Sequence, residues 1–536
     1  MNKKVYVIIN SDYFVSHWQY KCINKLKNYN LVFLLAKEIK NKKYKPKRVK
    51  YIKNFFYYII NLVSIQQKKV KVNLSAYKEA SIKEINFTRK SNSWEEITTE
   101  SIDQIISGSP FFIYKCGMGL LHVNEKLKKI PIISHHHGDP SKFRGRPSGF
   151  YEILKGEKKI GQIVQVISND LDAGKILSYG ETKVYPWSYK KTLKDCFSIS
   201  PIIFEKALIN LEMGIFLNKD CNGINYKLPS NLLSINFIFK EILKLINKLF
   251  YGLFWEKFWQ VGFIENFSLM RIKESQDLFK FIYSLSNNHK SLKICNGYSF
   301  FADPFVLDSN IIVEGLNNIS GKGDLLLIDV KKNKIIQKLN LKNKHLSYPY
   351  TKLISDILYI YPDSGSLNKP IFYKGKNISC LEKLPLKKFL QGLVDPSVIE
   401  SEGLFYLFAN YTNEQYVLRL WVSKNPNFDD AFEHPHSPIC ISPEGGRSGG
   451  RVFKFKNKFY RFGQNCCNGY GDGLILFEID KLDESTFSEF RISSIKFKDK
   501  FKGPHNIDFS NNLLTWDYYE DKFNFFAGVR RILNKI

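Results

Sequence analysis

The chain lacks a long apolar run, a Cys-x-x-Cys pair and a Gly-x-Gly-x-x-Gly stretch. Each absence excludes a class. A membrane-spanning helix needs about 18 uninterrupted apolar residues. A structural zinc site is ordinarily built from paired cysteines. A dinucleotide site of the usual kind needs the glycine-rich turn after a first strand. Nine cysteines in 536 residues are too sparse for a disulfide framework. The N-terminal "MNKKVYVIINSDYF" is basic. Its apolar run of about five residues is shorter than the roughly 7–15 of a signal-peptide core, so a cytoplasmic protein is expected. Acidic residues are scarce as well, with 51 Asp+Glu against 80 Lys+Arg and a net charge of +29. Such a surplus suits a polyanionic partner. The lysines are nevertheless spread along the whole chain beside abundant Asn, Ile, Phe and Tyr, as coding bias leaves them. Charge alone therefore assigns no partner, and nucleic acid is not expected.

What is present divides the chain into three stretches. Residues 1–188 read as α/β. "KVYVIIN", "LVFLLA", "FFIYKCG" and "IPIIS" are short apolar runs, and "HWQYKCINKLKN" has helical spacing. Such alternation predicts a parallel, Rossmann-like sheet covered on both faces, with sites beyond the carboxyl ends of its strands. Residues 189–265 read as a helical linker. "SPIIFEKALINLEMGIFL" opens on a Ser-Pro signal. "IFKEILKLINKLFYGLFWEKFWQVGF" mixes lysines with large apolar residues. It is a helix packed between domains, or a basic amphipathic surface in peripheral contact with a membrane through residues 236–262.

Residues 266–536 read as an all-β five-bladed propeller. "FADPFVL", "SYPYTKL", "VDPSVIE", "GGRVFKF" and "GPHNIDF" echo one another, and each precedes a short apolar strand. Their central residues Pro304, Pro349, Pro396, Arg451 and His505 are 45, 47, 55 and 54 positions apart. A period of about 40–50 with several strands per unit is the propeller signature.

The candidate site of the first stretch is "SHHHGDPSKFRG", Ser134–Gly145, directly after a strand. Adjacent strand residues point to opposite faces, so His135, His136 and His137 do not converge on one metal ion, and no metal is expected. Asp172, in "VQVISNDLDAGKIL", lies in a polar turn between a strand and an expected helix start. A histidine and a carboxylate on two strand-end loops make a general acid–base pair. Arg144 with Arg146 offers a planar fork for phosphate or carboxylate.

Residues 134–177 resemble the core of the formyltransferase family, which includes methionyl-tRNA formyltransferases and sugar N-formyltransferases. The family pattern is Asn-x-His, "LLP", Arg-Gly and, further on, Leu-Asp-x-Gly. Aligned on Arg144-Gly145, its histidine falls on His136 and its aspartate on Asp172, 36 residues later. The resemblance implies transfer of a formyl group from 10-formyl-tetrahydrofolate to an amine. It makes His136 an oxyanion donor and proton carrier, with Asp172 holding the histidine charged. Gly117, Gly119, Leu120 and Asp170 would face the formyl donor, and Arg144, His135 and His137 the acceptor. Two departures stand out. Ser134 replaces the family's asparagine, and Asp139-Pro140-Ser141 replaces "LLP", leaving Asp139 as an unexplained carboxylate.

The propeller stretch resembles the five-bladed domain at the N-terminus of plant glucosamine inositolphosphorylceramide transferases, also found in bacterial polysaccharide loci. That domain is distantly similar to the furanosidase glycoside hydrolases. Asp303 and Asp395 occupy equivalent places in units one and three. They are an acid/base pair, sugar-binding groups or caps of a recurring turn. Glu444, in "SPEGGRSGG", is the candidate third carboxylate, and Asp363, Arg451 and His505 complete a candidate sugar-binding ring. The leading expectation is an N-formyltransferase acting on an amino sugar, nucleotide-linked or glycan-borne, with the propeller binding carbohydrate. The alternatives are glycosidase or glycosyltransferase chemistry in the propeller beside a degenerate first domain, a methionyl-tRNA formyltransferase, and a non-catalytic glycan-binding protein.

Overall fold

The structure is a computed structural model that describes residues 3–39, 52–64, 68–77, 80–90, 94–286, 289–339, 345–363, 371–384, 386–497, 500–510 and 512–533. The chain forms two compact units, Met1–Ile246 and Asn247–Ile536.

The first unit is built on a nine-stranded sheet. Its strands in chain order are β1 (Lys4–Asn10), β2 (Asn30–Glu38), β3 (Ser81–Arg89), β4 (Trp94–Ile97), β5 (Phe112–Lys115), β6 (Leu120–Leu121), β7 (Ile132–His136), β9 (Lys159–Val166) and β10 (Lys175–Lys183), with β8 (Phe143–Gly145) outside the sheet. The spatial order is β10-β9-β7-β5-β1-β2-β3-β4-β6. Each apolar run seen in the sequence becomes a strand because Val, Ile, Leu and Phe are buried on both of its faces. β1 runs parallel to β2 and β5, and β5 parallel to β7. The sheet is not wholly parallel, however. β9 is antiparallel to β7, and β10 to β9. The reason is the short connection between Val166 and Lys175, which closes a hairpin but is too short for a parallel crossover. The helix start expected after Asp172 is therefore strand β10.

α1 (His17–Asn24) and α3 (Tyr189–Glu212) pack together in the first unit, and α2 (Phe150–Leu154) follows β8. α3 starts at Tyr189, where the Ser188 hydroxyl accepts from the Lys191 N–H, and not at the Ser200-Pro201 signal; Pro201 lies inside the helix. β11 (Ile224–Tyr226) pairs in parallel with β8, over Arg144 and Gly145. α4 (Asn231–Phe254) buries only Ser234 and Phe237. Phe239, Leu249 and Phe250 on it are exposed. No described helix is long and apolar enough to cross a membrane.

The second unit is a five-bladed propeller. The first strands of blades one to four are Tyr298–Leu307, Ser347–Ile354, Leu393–Ser401 and Glu444–Ser448. Blade five combines Ile507–Ser510 and Leu513–Phe523 with Trp255–Glu265 and Lys290–Ser291. Trp255–Glu265 was part of the stretch expected to be helical. Its buried Trp259, Val261 and Phe263 alternate with a period of two, and an eleven-residue antiparallel ladder to Leu513–Phe523 fixes it as a strand. That ladder joins the start of the unit to its end, which closes the ring and pairs an edge that would otherwise be open.

The echoed Asp-Pro and Tyr-Pro pairs have a local cause. Asp303, Tyr348 and Asp395 each precede a proline and adopt left-handed φ values of 49°, 45° and 49°. Each sits at a register shift in the first strand of its blade. The repeat is a β-bulge, and it turns the side chain before the proline out of the regular strand alternation.

Candidate functional site

β7 delivers His136 at its end, and the turn before β10 delivers Asp172. His136 Nδ1 lies 3.3 Å from Asp172 Oδ2. The same oxygen accepts the Gly145 N–H at 2.8 Å. Asp172 has a φ of 52°, a conformation that aspartate tolerates better than most residues. Arg144 holds the turn by donating from Nε to the Leu171 carbonyl at 2.8 Å. His136 Nε2 lies 3.0 Å from the Phe143 carbonyl. Gly138 makes this approach possible, since a Cβ there would lie 2.6 Å from His136 Nε2. Both ring nitrogens are thus engaged, and the free space beside the ring is about 10 Å³.

The other residues expected around this pair are placed variously. Ser134 lies two positions before His136 on the same face of β7, opposite Gln165 of β9. His135 and His137 face the other way, towards α3. His135 Nε2 is 3.2 Å from the Ser200 carbonyl, and His137 Nε2 is 3.0 Å from the Ser200 hydroxyl. Burial pushes His135 down to about 4 and His137 well below its ordinary range. Both are neutral packing groups facing α3, whereas Arg144, bound to Leu171 through Nε, lines the small space beside His136. Asp139 is explained by ion pairing with Lys219 at 3.2 Å and by the Ser141 hydroxyl at 2.8 Å. Gly117 is required by close packing, because a Cβ would lie 2.7 Å from the Ile9 carbonyl carbon, and at Gly119 a Cβ would press on Glu95 Oε1 at 3.1 Å. Leu120 and Asp170 are exposed. Their two loops are tied by Asn169, which accepts from the Val123 N–H at 2.7 Å.

Two groups at this site escaped the sequence reading. Lys115 ends β5 one step beyond the Tyr114–Ile133 pair, which sets it beside Ser134. Neighbours in parallel strands share a face, so Lys115, Ser134 and His136 lie on one side of the sheet. Burial lowers the Lys115 ammonium pKa, and the charges of Glu95 and Asp172 oppose that shift. Glu152 of α2 lines the small space beside His136 and is itself buried. Burial chiefly, with the charges of Glu157 and Asp139, pushes it up to about 8. The available signal was a single charged residue inside an apolar segment, "FFIYKCG" and "SGFYEIL".

The centre of the propeller holds the second constellation. His505 Nε2 is 2.9 Å from Asp303 Oδ1, and Nδ1 is 2.5 Å from Asp517 Oδ2. Burial works to lower this histidine, but the Asp517 and Asp303 charges raise it to about 10. Tyr470 contacts Nε2 at 3.0 Å. Asp395 is paired with Arg447 Nη2 at 2.6 Å and accepts from Gln464 at 3.0 Å. Glu314 is buried beside these groups. Burial, then the charges of Asp303 and Asp363, push its carboxyl well above the usual range. Arg451 bonds both Asp508 oxygens at 2.8 and 3.0 Å and the Thr351 carbonyl at 2.8 Å. These bonds brace the ring. Glu444 faces Arg491 at 3.5 Å. Glu314, Arg447 and Asp517 went unread in the sequence, although each is a charge within an apolar or glycine-rich strand.

Among the described residues, Asp303, His505 and Asp517 bring ligand atoms within 4.8 Å of one another and form the one group able to hold a metal ion. At neutral pH the ring between the two carboxylates is an imidazolium. Its two N–H groups occupy the positions that a cation would need.

Residues 289–510 match the family described as the N-terminal domain of glucosamine inositolphosphorylceramide transferase 1. The transferase of that name from Oryza sativa subsp. japonica is 30% identical over 159 residues, 28% of this chain and 21% of that protein. Its Arabidopsis thaliana counterpart is 27% identical over 237 residues, 39% of this chain and 30% of that protein. The chain thus spans under a third of the curated relatives it matches. Among solved structures, an N-formyltransferase from Helicobacter canadensis, in complex with folinic acid and dTDP-3-aminofucose, is 12% identical with a TM-score of 0.28, covering 63% of this chain and all of that one. A GH43 β-xylosidase/α-arabinofuranosidase from a compost metagenome is 11% identical with a TM-score of 0.31, covering 44% of this chain and 93% of that one.

Proposed function

We propose that this chain is a carbohydrate-modifying enzyme. It moves a formyl group from 10-formyl-tetrahydrofolate to the amine of an amino sugar, nucleotide-linked or carried on a glycan precursor, and its propeller binds the carbohydrate. The observation that carries this reading is the His136–Asp172 pair, joined at 3.3 Å at the end of a central strand beside the half-buried Lys115.

The formyl donor supplies an activated carbonyl carbon. In the transfer the acceptor amine forms a bond to that carbon, the carbonyl becomes an oxyanion, and the carbon–nitrogen bond to the donor breaks as the oxyanion collapses. The protein must neutralise the oxyanion and take up the amine proton. His136 donates to the oxyanion and carries the proton, and Asp172 orients it and helps to take up the amine proton. Lys115 offers the positive charge that the shorter Ser134 hydroxyl lacks. The donor set suits a carbonyl that gains negative charge, but the space of about 10 Å³ does not admit a pterin beside the ring. Productive binding therefore has to displace the Phe143 carbonyl from His136 Nε2.

Cytoplasmic location and peripheral attachment to an anionic membrane face through α4 are part of this proposal. The exposed Phe239, Leu249 and Phe250, interspersed with lysines, support it.

A second reading is favoured by one specific observation. Glu314 keeps its proton while Asp303 nearby is ionised. Two carboxyls whose environments drive their pKa values apart form an acid/base pair suited to glycosidic-bond chemistry in the propeller. One experiment separates the readings: mass spectrometry of nucleotide amino sugars incubated with the protein and 10-formyl-tetrahydrofolate. A gain of one formyl group that is lost in His136→Ala and kept in Asp303→Asn supports the first. Turnover of a glycoside that is lost only in Asp303→Asn or Glu314→Gln replaces it with the second.

A further inference from the structure

The first unit has a second cleft, on the face of the sheet away from His136 and Asp172. It offers about 430 Å³ between α1 and α3, within the range of small-ligand sites. Its rim is cationic. His17 and Lys21 come from α1, Lys190 and Lys194 from α3, and Lys68 from the segment beyond Ser64. None of the four ammonium groups has a carboxylate partner among the described residues. Burial, then the charges of Lys21 and Lys68, hold the His17 imidazole below its ordinary pKa. Cations gathered without counter-charges are mutually repulsive, and an anion seated among them removes that repulsion.

The wall is aromatic. The Trp18 and Phe197 rings are nearly parallel, 6° apart with centroids at 6.2 Å. His137 meets both edge-on, with centroid distances of 4.9 Å. The Trp18 indole N–H is buried and has no acceptor. An indole N–H ordinarily finds a partner when buried, and a ligand oxygen would supply one. Lysines alone would suit any anion. The flat aromatic wall and the orphan donor narrow the class to an anion that carries a planar ring.

We infer that the α1–α3 cleft is a nucleoside diphosphate site, with the base against Trp18 and Phe197 and the phosphates among Lys21, Lys68, Lys190 and Lys194. The inference does not depend on formyl transfer, because the cleft and the His136–Asp172 pair lie on opposite faces of the sheet. His137 is the link between them, since its ring packs against Trp18 and Phe197 while its neighbour His136 pairs with Asp172.

The test is calorimetric titration of the full chain with UDP, uridine and sodium pyrophosphate in separate runs. UDP should bind saturably at submillimolar concentration, and uridine and pyrophosphate each about tenfold or more weaker, a difference of about 1.4 kcal/mol. The double variant Lys68→Glu/Lys194→Glu should weaken UDP binding by at least about tenfold, with melting temperature unchanged because both side chains are exposed. Trp18→Phe, which keeps a ring and removes the N–H, should weaken it by about threefold to tenfold. Saturable UDP binding that the double variant leaves intact overturns the site. Equal affinity for pyrophosphate and UDP reduces it to an anion site and overturns the nucleoside assignment. Absence of saturable UDP binding into the millimolar range overturns the whole inference.

Discussion

At the scale of single residues, the first unit holds titratable groups whose proton affinities are shifted by loss of water. Lys115 and Glu152 are the clearest cases. If Lys115 neutralises an oxyanion, Lys115→Met should lower kcat by about 10²–10³-fold with little change in KM, measured by formyl-donor turnover. Glu152 gives a prediction with a definite sign. Its folded pKa of about 8 lies above the ordinary 4.5. Between those values the native state holds a proton that the unfolded state has released, so this group makes stability fall as pH rises from about 4.5 to about 8. Glu152→Gln should flatten that fall in melting temperature and be more stable than the parent at pH 8. His505 works over a higher window. Its folded pKa of about 10 lies above the ordinary 6.5, so its contribution is complete below 6.5 and is lost as pH rises towards 10. Asp303→Asn removes one of its two carboxylates and should cost about 3 kcal/mol in denaturant unfolding of the propeller unit.

At the scale of elements, two segments of similar composition have opposite fates. Both α4 and Trp255–Glu265 mix aromatics with Lys and Glu. α4 carries Leu, Ile and Lys, good helix formers, and leaves most of its apolar residues uncovered. An exposed stripe of this kind, bearing lysines, is suited to an anionic lipid surface. Co-sedimentation with vesicles containing phosphatidylserine should be reduced about tenfold or more by Phe239→Glu/Phe250→Glu, a loss of about 1.4 kcal/mol. Binding that persists unchanged in this variant excludes α4 as the attachment. The strand, by contrast, is held by its ladder to Leu513–Phe523, and the β-bulges of blades one to three recur because proline follows the left-handed residue in each. The local rule was therefore legible in the repeats "FADPF", "SYPYT" and "VDPSV".

At the scale of the whole molecule, apolar clusters of the described residues fall within one unit or the other. Ile8, Leu34 and Ile113 belong to one in the first unit, Tyr350, Leu407 and Trp421 to one in the second. Separate cores predict two calorimetric transitions. The pH dependence set by Glu152 should appear in one and that set by His505 in the other. A single transition shifted equally by Glu152→Gln and by Asp303→Asn would count against this. The sequence by itself determined the apolar strands of the first unit and the five-fold repeat of the second, because periodicity and turn chemistry are properties of the chain alone; a family resemblance singled out His136 and Asp172, and only the fold brings them to 3.3 Å. It did not determine the hairpin after Asp172 or the strand at Trp255, since each depends on which partner strand completes the ladder. Nor did it reveal that His135 and His137 turn towards α3, that Arg451 pairs with Asp508, or that Lys115, Glu152 and Glu314 set their titratable groups beside other charges away from water. Desolvation and ion pairing depend on what the fold brings within a few ångströms, and only the tertiary structure decides that.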